Sequence, residues 1–310
     1  MASDALVITG PTAVGKTAIG ILVAKRLGAE IVSMDSRQVY RGMDIGTAKP
    51  TLAERQGVPH FGFDVVSPAE RYSAGRFALD ARRWIAEIRE RGHLALLVGG
   101  TGFFLRALTH PLFREPELEP ERRAGLDRFL RQLGVEELRR WAAALDPGAS
   151  GMRAGGRQRL QRVIEVALLT GRPITWWHAQ APGSDPLAVR IVVLELPRDT
   201  LVRRIDDRVD RMVVAGLAEE VSRLLAEGYT AESPGMNATG YAEFVPYVRG
   251  ERTLAEAVAL TKAATRRYAR RQMTWFRNQL PHDVVRLDAR RPPPEVADTI
   301  AELWRKEAVS

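Results

Sequence analysis

Cysteine is absent from this 310-residue chain. A disulfide framework, a Cys-ligated zinc site, an iron–sulfur cluster and a thiol nucleophile are therefore excluded. No apolar run approaches the roughly 20 residues that cross a bilayer, so a membrane is not an expected partner. The stretch Met1-Ala-Ser-Asp-Ala-Leu-Val-Ile-Thr-Gly10 has no basic segment ahead of its apolar residues. It does not read as a secretory signal, and the expected location is cytoplasmic. Lysine is scarce: Lys16, Lys25, Lys49, Lys262 and Lys306 are the whole set, and arginine supplies the rest of 46 basic residues. Against 38 acidic residues the net charge is +8. An excess of that size means little if spread evenly and much if clustered. What remains is ordinary: 45% hydrophobic and 27% charged residues, the composition of a folded globular chain of about two domains.

Short apolar runs alternate with helical patterns in the first hundred residues. Residues 5–9, 31–34 and 94–98 read as buried strands. Helical periodicity follows at about 16–27 and 75–91. From about 113 to 187 only amphipathic helical patterns occur, at 122–133, 135–145 and 160–169, punctuated by Pro116, Pro120, Pro147 and Pro173. A strand-like run returns at 191–196, followed by helices at about 198–213, 215–227 and 253–278 and one short terminal helix. The expected fold is α/β: a parallel sheet flanked by helices, with an all-helical insertion, which Gly10-x-x-x-x-Gly15-Lys16-Thr17 between the first strand and helix makes P-loop NTPase-like. Residues 1–112 and 188–310 form the expected core and 113–187 the insertion.

Gly10-x-x-x-x-Gly15-Lys16-Thr17 matches the P-loop pattern, with a strand before it and a helix after it. The backbone of Gly10, Pro11, Thr12, Ala13, Val14 and Gly15 can wrap an anion, and the helix N-terminus adds partial positive charge. Lys16 can reach an outer phosphate, and the Thr17 hydroxyl can ligate Mg²⁺. The pattern does not say which phosphate ester binds. P-loop NTPases commonly hold their metal with an acid at the end of a later strand. Here the 94–98 run ends in Gly99-Gly100 instead, and the acid stands earlier, at Asp35. Asp35 reads as a water-mediated metal ligand, a general base or a turn cap; the residues alone leave these open.

The string Asp35-Ser36-Arg37-Gln38-Val-Tyr-Arg-Gly-Met-Asp-Ile-Gly-Thr-Ala-Lys-Pro50 resembles the signature of the tRNA dimethylallyltransferases, the tRNA isopentenyltransferase family. So do Gly10–Thr17, Val98-Gly-Gly-Thr101-Gly, Gln158-Arg159-Leu160-Gln161-Arg162, Gly240-Tyr241 and Arg271-Gln272-Met-Thr-Trp275-Phe-Arg277. These matches run in order over nearly the whole chain. The resemblance implies transfer of a dimethylallyl group from dimethylallyl diphosphate to N6 of adenosine 37, beside the tRNA anticodon. The P-loop then cradles a leaving diphosphate, with Mg²⁺ on Thr17. Asp35 becomes the matched base, Thr101 a second catalytic residue near the departing oxygen, and Arg208 a diphosphate contact. Asp35–Gln38 line the adenine pocket. Arg123, Gln158–Arg162, Gly240, Tyr241, Arg271, Gln272, Trp275 and Arg277 become tRNA contacts. The expected form is the compact bacterial one, acting as a monomer. One departure is Ala242, where relatives often carry a basic residue after the tyrosine.

The charge pattern points the same way. Residues 257–282 hold Lys262, Arg266, Arg267, Arg270, Arg271 and Arg277 and no acid. A one-sign helix face suits a phosphate backbone. Tyr268 and Trp275 fall on the opposite, apolar side with Ala264 and read as core contacts. A second acid-free stretch carries Arg153, Arg157, Arg159 and Arg162 in the insertion, and two basic patches suit an RNA stem-loop. Gln38 reads as either an adenine-edge reader or an exposed loop residue. A P-loop kinase for a small or nucleotide acceptor explains Gly10–Thr17 and Asp35 but not the acid-free helix. A non-enzymatic RNA-binding module leaves the P-loop without a use.

Overall fold

The computed structural model describes residues 3–110, 118–149, 156–180 and 185–308. In chain order the elements are β1 Ala5–Thr9, α1 Lys16–Leu27, β2 Ala29–Ser33, α2 Leu52–Arg55, β3 His60–Phe61, α3 Ala74–Glu90, β4 Leu94–Val98 and α4 Gly102–Thr109. Next are α5 Pro120–Gln132, α6 Val135–Leu145, α7 Arg157–Thr170 and α8 Ile174–Ala179. The chain continues with β5 Val189–Glu195, α9 Arg198–Val214, α10 Leu217–Ala226, α11 Tyr241–Val248, α12 Leu254–Gln279, β6 Val285–Asp288 and α13 Pro293–Ala308. Two compact units result: Met1–Thr109 with Leu187–Ser310, and His110–Pro186.

The first unit is built on one sheet in the order β3-β2-β4-β1-β5-β6, parallel throughout. Every residue of β1 and β2 is buried. A parallel sheet covered on both faces buries successive residues instead of alternate ones. The register sets the function. Ile8 pairs with Val98 and Val192, and Ser33 pairs with Val98. The carboxyl ends of β1, β2 and β4 are therefore level, and the segments after Thr9, Ser33 and Val98 leave from one edge. Ligands of open α/β sheets bind along that edge.

Two strands escaped the sequence reading. β3 has two residues, and β6, Val285-Arg-Leu-Asp288, has no apolar run. α4 starts inside Gly99-Gly100-Thr101-Gly102, which reads as a turn. The terminal helix is not short: α13 has 16 residues and buries Val296, Ala297 and Ile300 in one cluster with Ile19 and Val23 of α1. Pro293 and Pro294 suit its first turn, where an N–H is not needed.

The second unit packs Leu130, Leu138, Ala142, Leu160, Val163 and Ile164 into its own core. Buried Asp146 starts α8, accepting the Thr175 N–H at 2.9 Å and its hydroxyl at 2.7 Å. Glu165 is paired with both Arg123 and Arg162, at 2.5 and 2.7 Å. No helix among the described residues is long and apolar enough to cross a membrane.

Candidate active site

The turn from β1 into α1 has the geometry of an anion cradle. Gly15, the residue before α1, has φ +107°, a left-handed value that a side chain would strain. Lys16 folds back over the loop, donating from Nζ to the carbonyls of Gly10 (2.9 Å) and Pro11 (2.7 Å). Burial pushes its ammonium down to about 7; the Asp35 carboxylate opposes this and Arg208 adds to it. Above about pH 7, the unliganded protein thus holds Lys16 largely neutral. A bound polyanion favours the charged form. Binding of inorganic diphosphate near pH 8 is therefore expected to take up close to one proton. Its affinity should fall by up to roughly tenfold per pH unit above 7. Calorimetry in two buffers of different ionisation heat reads this uptake, and Lys16→Met should abolish it.

The second strand end brings the acid to the same place. Asp35 follows β2, and its Oδ1 accepts the Arg37 N–H at 2.8 Å. Its Oδ2 has no protein donor among the described residues, which leaves an oxygen free for a substrate. From β4 comes Thr101. Its N–H bonds the Met34 carbonyl (3.3 Å) and its hydroxyl accepts the Ser36 N–H (3.0 Å). Thr101 is thus locked to the turn that carries Asp35. Arg208 of α9 completes the group, donating Nη2 to the Thr47 carbonyl at 3.3 Å. Burial lowers its pKa, with Asp35 opposing and Arg211 adding to the effect.

Two residues tie these loops together in ways the sequence did not signal. Gln272 of α12 accepts the Thr12 N–H (2.8 Å) and donates to the Gly100 carbonyl (2.8 Å). One amide therefore clamps the P-loop to the Thr101 loop. It comes so close to Gly100 that a Cβ there would lie 2.5 Å from Nε2. Arg204, one helical turn before Arg208, donates to the Val14 carbonyl at 3.3 Å. Tyr268, which reads as a core contact, is half-buried instead, beside Thr101 and Asp35. Desolvation and the Asp35 charge push its phenol up to about 12.

The site fits a magnesium ion shared with a substrate. Thr17 is exposed, and its hydroxyl makes no hydrogen bond to the described protein. No group of three or more His, Asp or Glu residues among the described residues forms a protein-only metal site. Mg²⁺ suits one hydroxyl plus phosphate oxygens and water, because it keeps much of its hydration.

Comparison with known proteins decides among P-loop enzymes. The family model for IPP transferase matches residues 38–279, and that for isopentenyl transferase matches residues 3–61. The tRNA dimethylallyltransferase of Geobacter metallireducens is 44% identical over 88% of this chain and 89% of its own length. That of Roseiflexus sp. is 43% identical over 96% and 98%. The chain belongs to the IPP transferase family. The crystal structure of the tRNA isopentenylpyrophosphate transferase of Bacillus halodurans aligns at TM-score 0.69 and 37% identity, over 98% of both chains. A eukaryotic dimethylallyltransferase seen acting on tRNA aligns at TM-score 0.76 and 27% identity, over 92% of this chain and 73% of its own. The P-loop-like α/β fold is shared across these IPP transferases.

The residues expected to touch RNA sort into two groups. One group is turned inward, against expectation. Gln38 is buried; its Oε1 accepts the Ser33 hydroxyl, and its Nε2 donates to Thr47 and Ala48 carbonyls. It is neither an exposed loop residue nor free to read a base. Tyr241 is fully buried and bonds Glu220. Gly240 is buried with its N–H on Glu243. Leu160 sits in the core of the second unit, and Gln272 is the clamp between the P-loop and Gly100. Arg123 and Arg162 share Glu165.

The other group faces outward. Gln158, Arg159, Arg271 and Arg277 are exposed, and Ser36 and Arg37 are half-buried, whereas Gln161 has its amide nitrogen buried. Half-buried Trp275 lays its ring against Gly102. Arg153 lies outside the described residues. The acid-free α12 face is also smaller than its sequence implies. Lys262 pairs with Asp210 and Arg266 with Asp206, both acids of α9. Arg267, Arg270, Arg271 and Arg277 stay exposed, without an ion pair among the described residues. At 100° per residue they share an arc of about 120°.

Proposed function

We propose that this chain is a tRNA dimethylallyltransferase. It transfers the dimethylallyl group of dimethylallyl diphosphate to N6 of adenosine 37 in tRNA. The observation that carries the reading is the meeting of Lys16, Asp35, Thr101 and Arg208 at one sheet edge, in a family whose named relatives perform this reaction.

In the reaction the C1–O bond of the donor breaks and an N6–C1 bond forms. The adenine amine is a weak nucleophile, because its lone pair is delocalised into the ring. Asp35 accepts the N6 proton as the new bond forms. The electron pair of the breaking bond leaves with diphosphate, whose growing charge meets Lys16, Arg208 and the N–H groups of the P-loop. Thr101, whose hydroxyl accepts the Ser36 N–H and donates to the Ser36 hydroxyl over a long 3.4 Å, can turn that hydrogen toward the departing oxygen. Thr17 would hold Mg²⁺, which supplies charge neutralisation to the diphosphate when bound. The adenine leaves its stack to reach this edge, at a cost of a few kcal/mol. All these groups come from one chain, which supports action as a monomer. The tRNA substrate supports a cytoplasmic location.

The deciding experiment is a mass-resolved transfer assay. Unmodified tRNA with an adenosine at position 37 is incubated with protein and Mg²⁺, and with either dimethylallyl diphosphate or ATP. One C5H8 addition on that adenosine, with the diphosphate donor only, is the expected result. ATP consumption without the addition would mean a kinase.

The arginine arc gives a separate expectation. Each basic side chain that neutralises a phosphate adds about 0.7–0.9 to the slope of log K against log salt. Arg271→Ala and Arg277→Ala should each weaken tRNA binding and flatten that slope by about this amount. Lys262→Ala and Arg266→Ala should leave the slope unaltered, because Asp210 and Asp206 already neutralise those charges. Filter binding across a salt series distinguishes the two sets. Equal effects from all four would remove the arc as the RNA-binding face.

A further inference from the structure

We propose that Glu220 is a positioning residue for the donor diphosphate, acting through the turn at residues 44–47 on Arg208. The inference rests on the reading of Arg208 as a diphosphate contact. Glu220 lies in α10, far from the P-loop in sequence and buried. Its Oε2 accepts the N–H groups of Asp44 (3.0 Å) and Ile45 (2.9 Å). Its Oε1 accepts the Gly46 N–H (3.1 Å) and the Tyr241 hydroxyl (2.5 Å).

Three successive N–H groups converging on one anion form a nest, a concavity that usually takes a ligand. Here the chain supplies the anion itself. Four donors on one buried carboxylate satisfy its charge and make each bond charge-assisted. The Tyr241 ring lies against Gly46 and closes the turn from its other side. Burial first, then the Glu220 carboxylate, hold this phenol well above its usual pKa, so it stays a donor.

The next residue transmits the effect. The Thr47 carbonyl accepts Arg208 Nη2 and Gln38 Nε2, each at 3.3 Å. An arginine side chain has many rotamers, and the carbonyl that receives Nη2 selects among them. A turn fixed by Glu220 fixes that carbonyl, and with it the direction in which the remaining guanidinium donors point. Arg208 is then preorganised for a diphosphate instead of being ordered by it.

A double-mutant cycle on inorganic diphosphate tests this. The ligand is titrated by calorimetry into wild type, Glu220→Gln, Arg208→Ala and the double variant. Glu220→Gln keeps the shape but loses the charge and an acceptor. Each single variant should weaken diphosphate by about tenfold, and the double variant should be no weaker than Arg208→Ala alone. Tyr241→Phe, which removes one donor and keeps the ring, should cost about threefold in the same assay and nothing further on Arg208→Ala. The Tyr241→Phe pair carries the cycle if Glu220→Gln does not fold. Transfer-RNA affinity should stay within about twofold in all of them, a readout that general loosening of the fold would move. Equal losses with and without Arg208 would overturn the proposal, as would wild-type affinity in folded Glu220→Gln. An Arg208→Ala variant that binds diphosphate as wild type does would overturn the reading of Arg208 itself. The two failures are thus distinct.

Discussion

Asp35→Asn is expected to bind tRNA as wild type does and to lose about 10²–10⁴-fold in single-turnover transfer at saturating donor, the contribution of a positioned general base. The substitution is nearly isosteric. Asn can still accept the Arg37 N–H that Oδ1 now accepts, so the turn after β2 is preserved. What disappears is the charge and a site for the N6 proton. A residue that only capped the turn would tolerate this change, because its hydrogen bond survives. A carboxylate that receives the amine proton as the bond forms would not. Rapid quench under single-turnover conditions separates these, with donor and tRNA affinities measured alongside. A wild-type rate constant with wild-type affinities would reduce Asp35 to its cap. A rate restored at higher Mg²⁺ would assign it to the metal.

The same residue shows how much of the site the sequence carried. Gly10–Thr17 and Asp35 were readable because a short strand precedes each, and parallel strands of similar length end level. The pairing of Ile8 and Ser33 with Val98 is the structural form of that inference. Thr101 followed from a motif, and β4 delivers it to the Asp35 turn. The supports were not readable. Gln272 lies 260 residues from Thr12, and Glu220 lies 174 to 176 from the turn it holds. Nothing local marks such partners, because the driving force is the cost of leaving backbone N–H and C=O groups unmet when loops are buried. Motif strings also mix two kinds of residue. In Arg271-Gln272-Met-Thr-Trp275, Arg271 faces water and Gln272 faces the P-loop, only 100° away on the same helix. Charge counted along α12 misled in the same way, since the acids that neutralise Lys262 and Arg266 stand on α9.

Lys16→Met should also lose transfer by about 10²–10³-fold, the cost of removing one preorganised donor from a developing anion. Its signature differs from that of Asp35→Asn. The leaving diphosphate carries charge before and after the bond breaks, so Lys16 contributes to ground-state affinity as well. Donor affinity and the rate constant should fall together in this variant, whereas the loss in Asp35→Asn persists at saturating donor and lies chiefly in the rate constant. The pH profile supplies the second distinction. Burial holds free Lys16 near a pKa of about 7, so the wild type must recharge it to bind diphosphate in mildly alkaline solution. Below pH 7 the ammonium is already present and affinity is at its plateau; above it, affinity declines as the proton must be taken from solvent. Lys16→Met has no such proton to gain, and its weak binding should not change with pH over this range once the ligand's own ionisation is subtracted. A persistent slope in the variant would place the titrating group elsewhere. Arg208 is not that group: a guanidinium starts from a far higher pKa than an ammonium, and although burial lowers it, Asp35 draws it back up. Two cations thus serve one anion differently: Arg208 as a fixed charge aimed by its backbone acceptor, and Lys16 as a charge that the substrate itself restores.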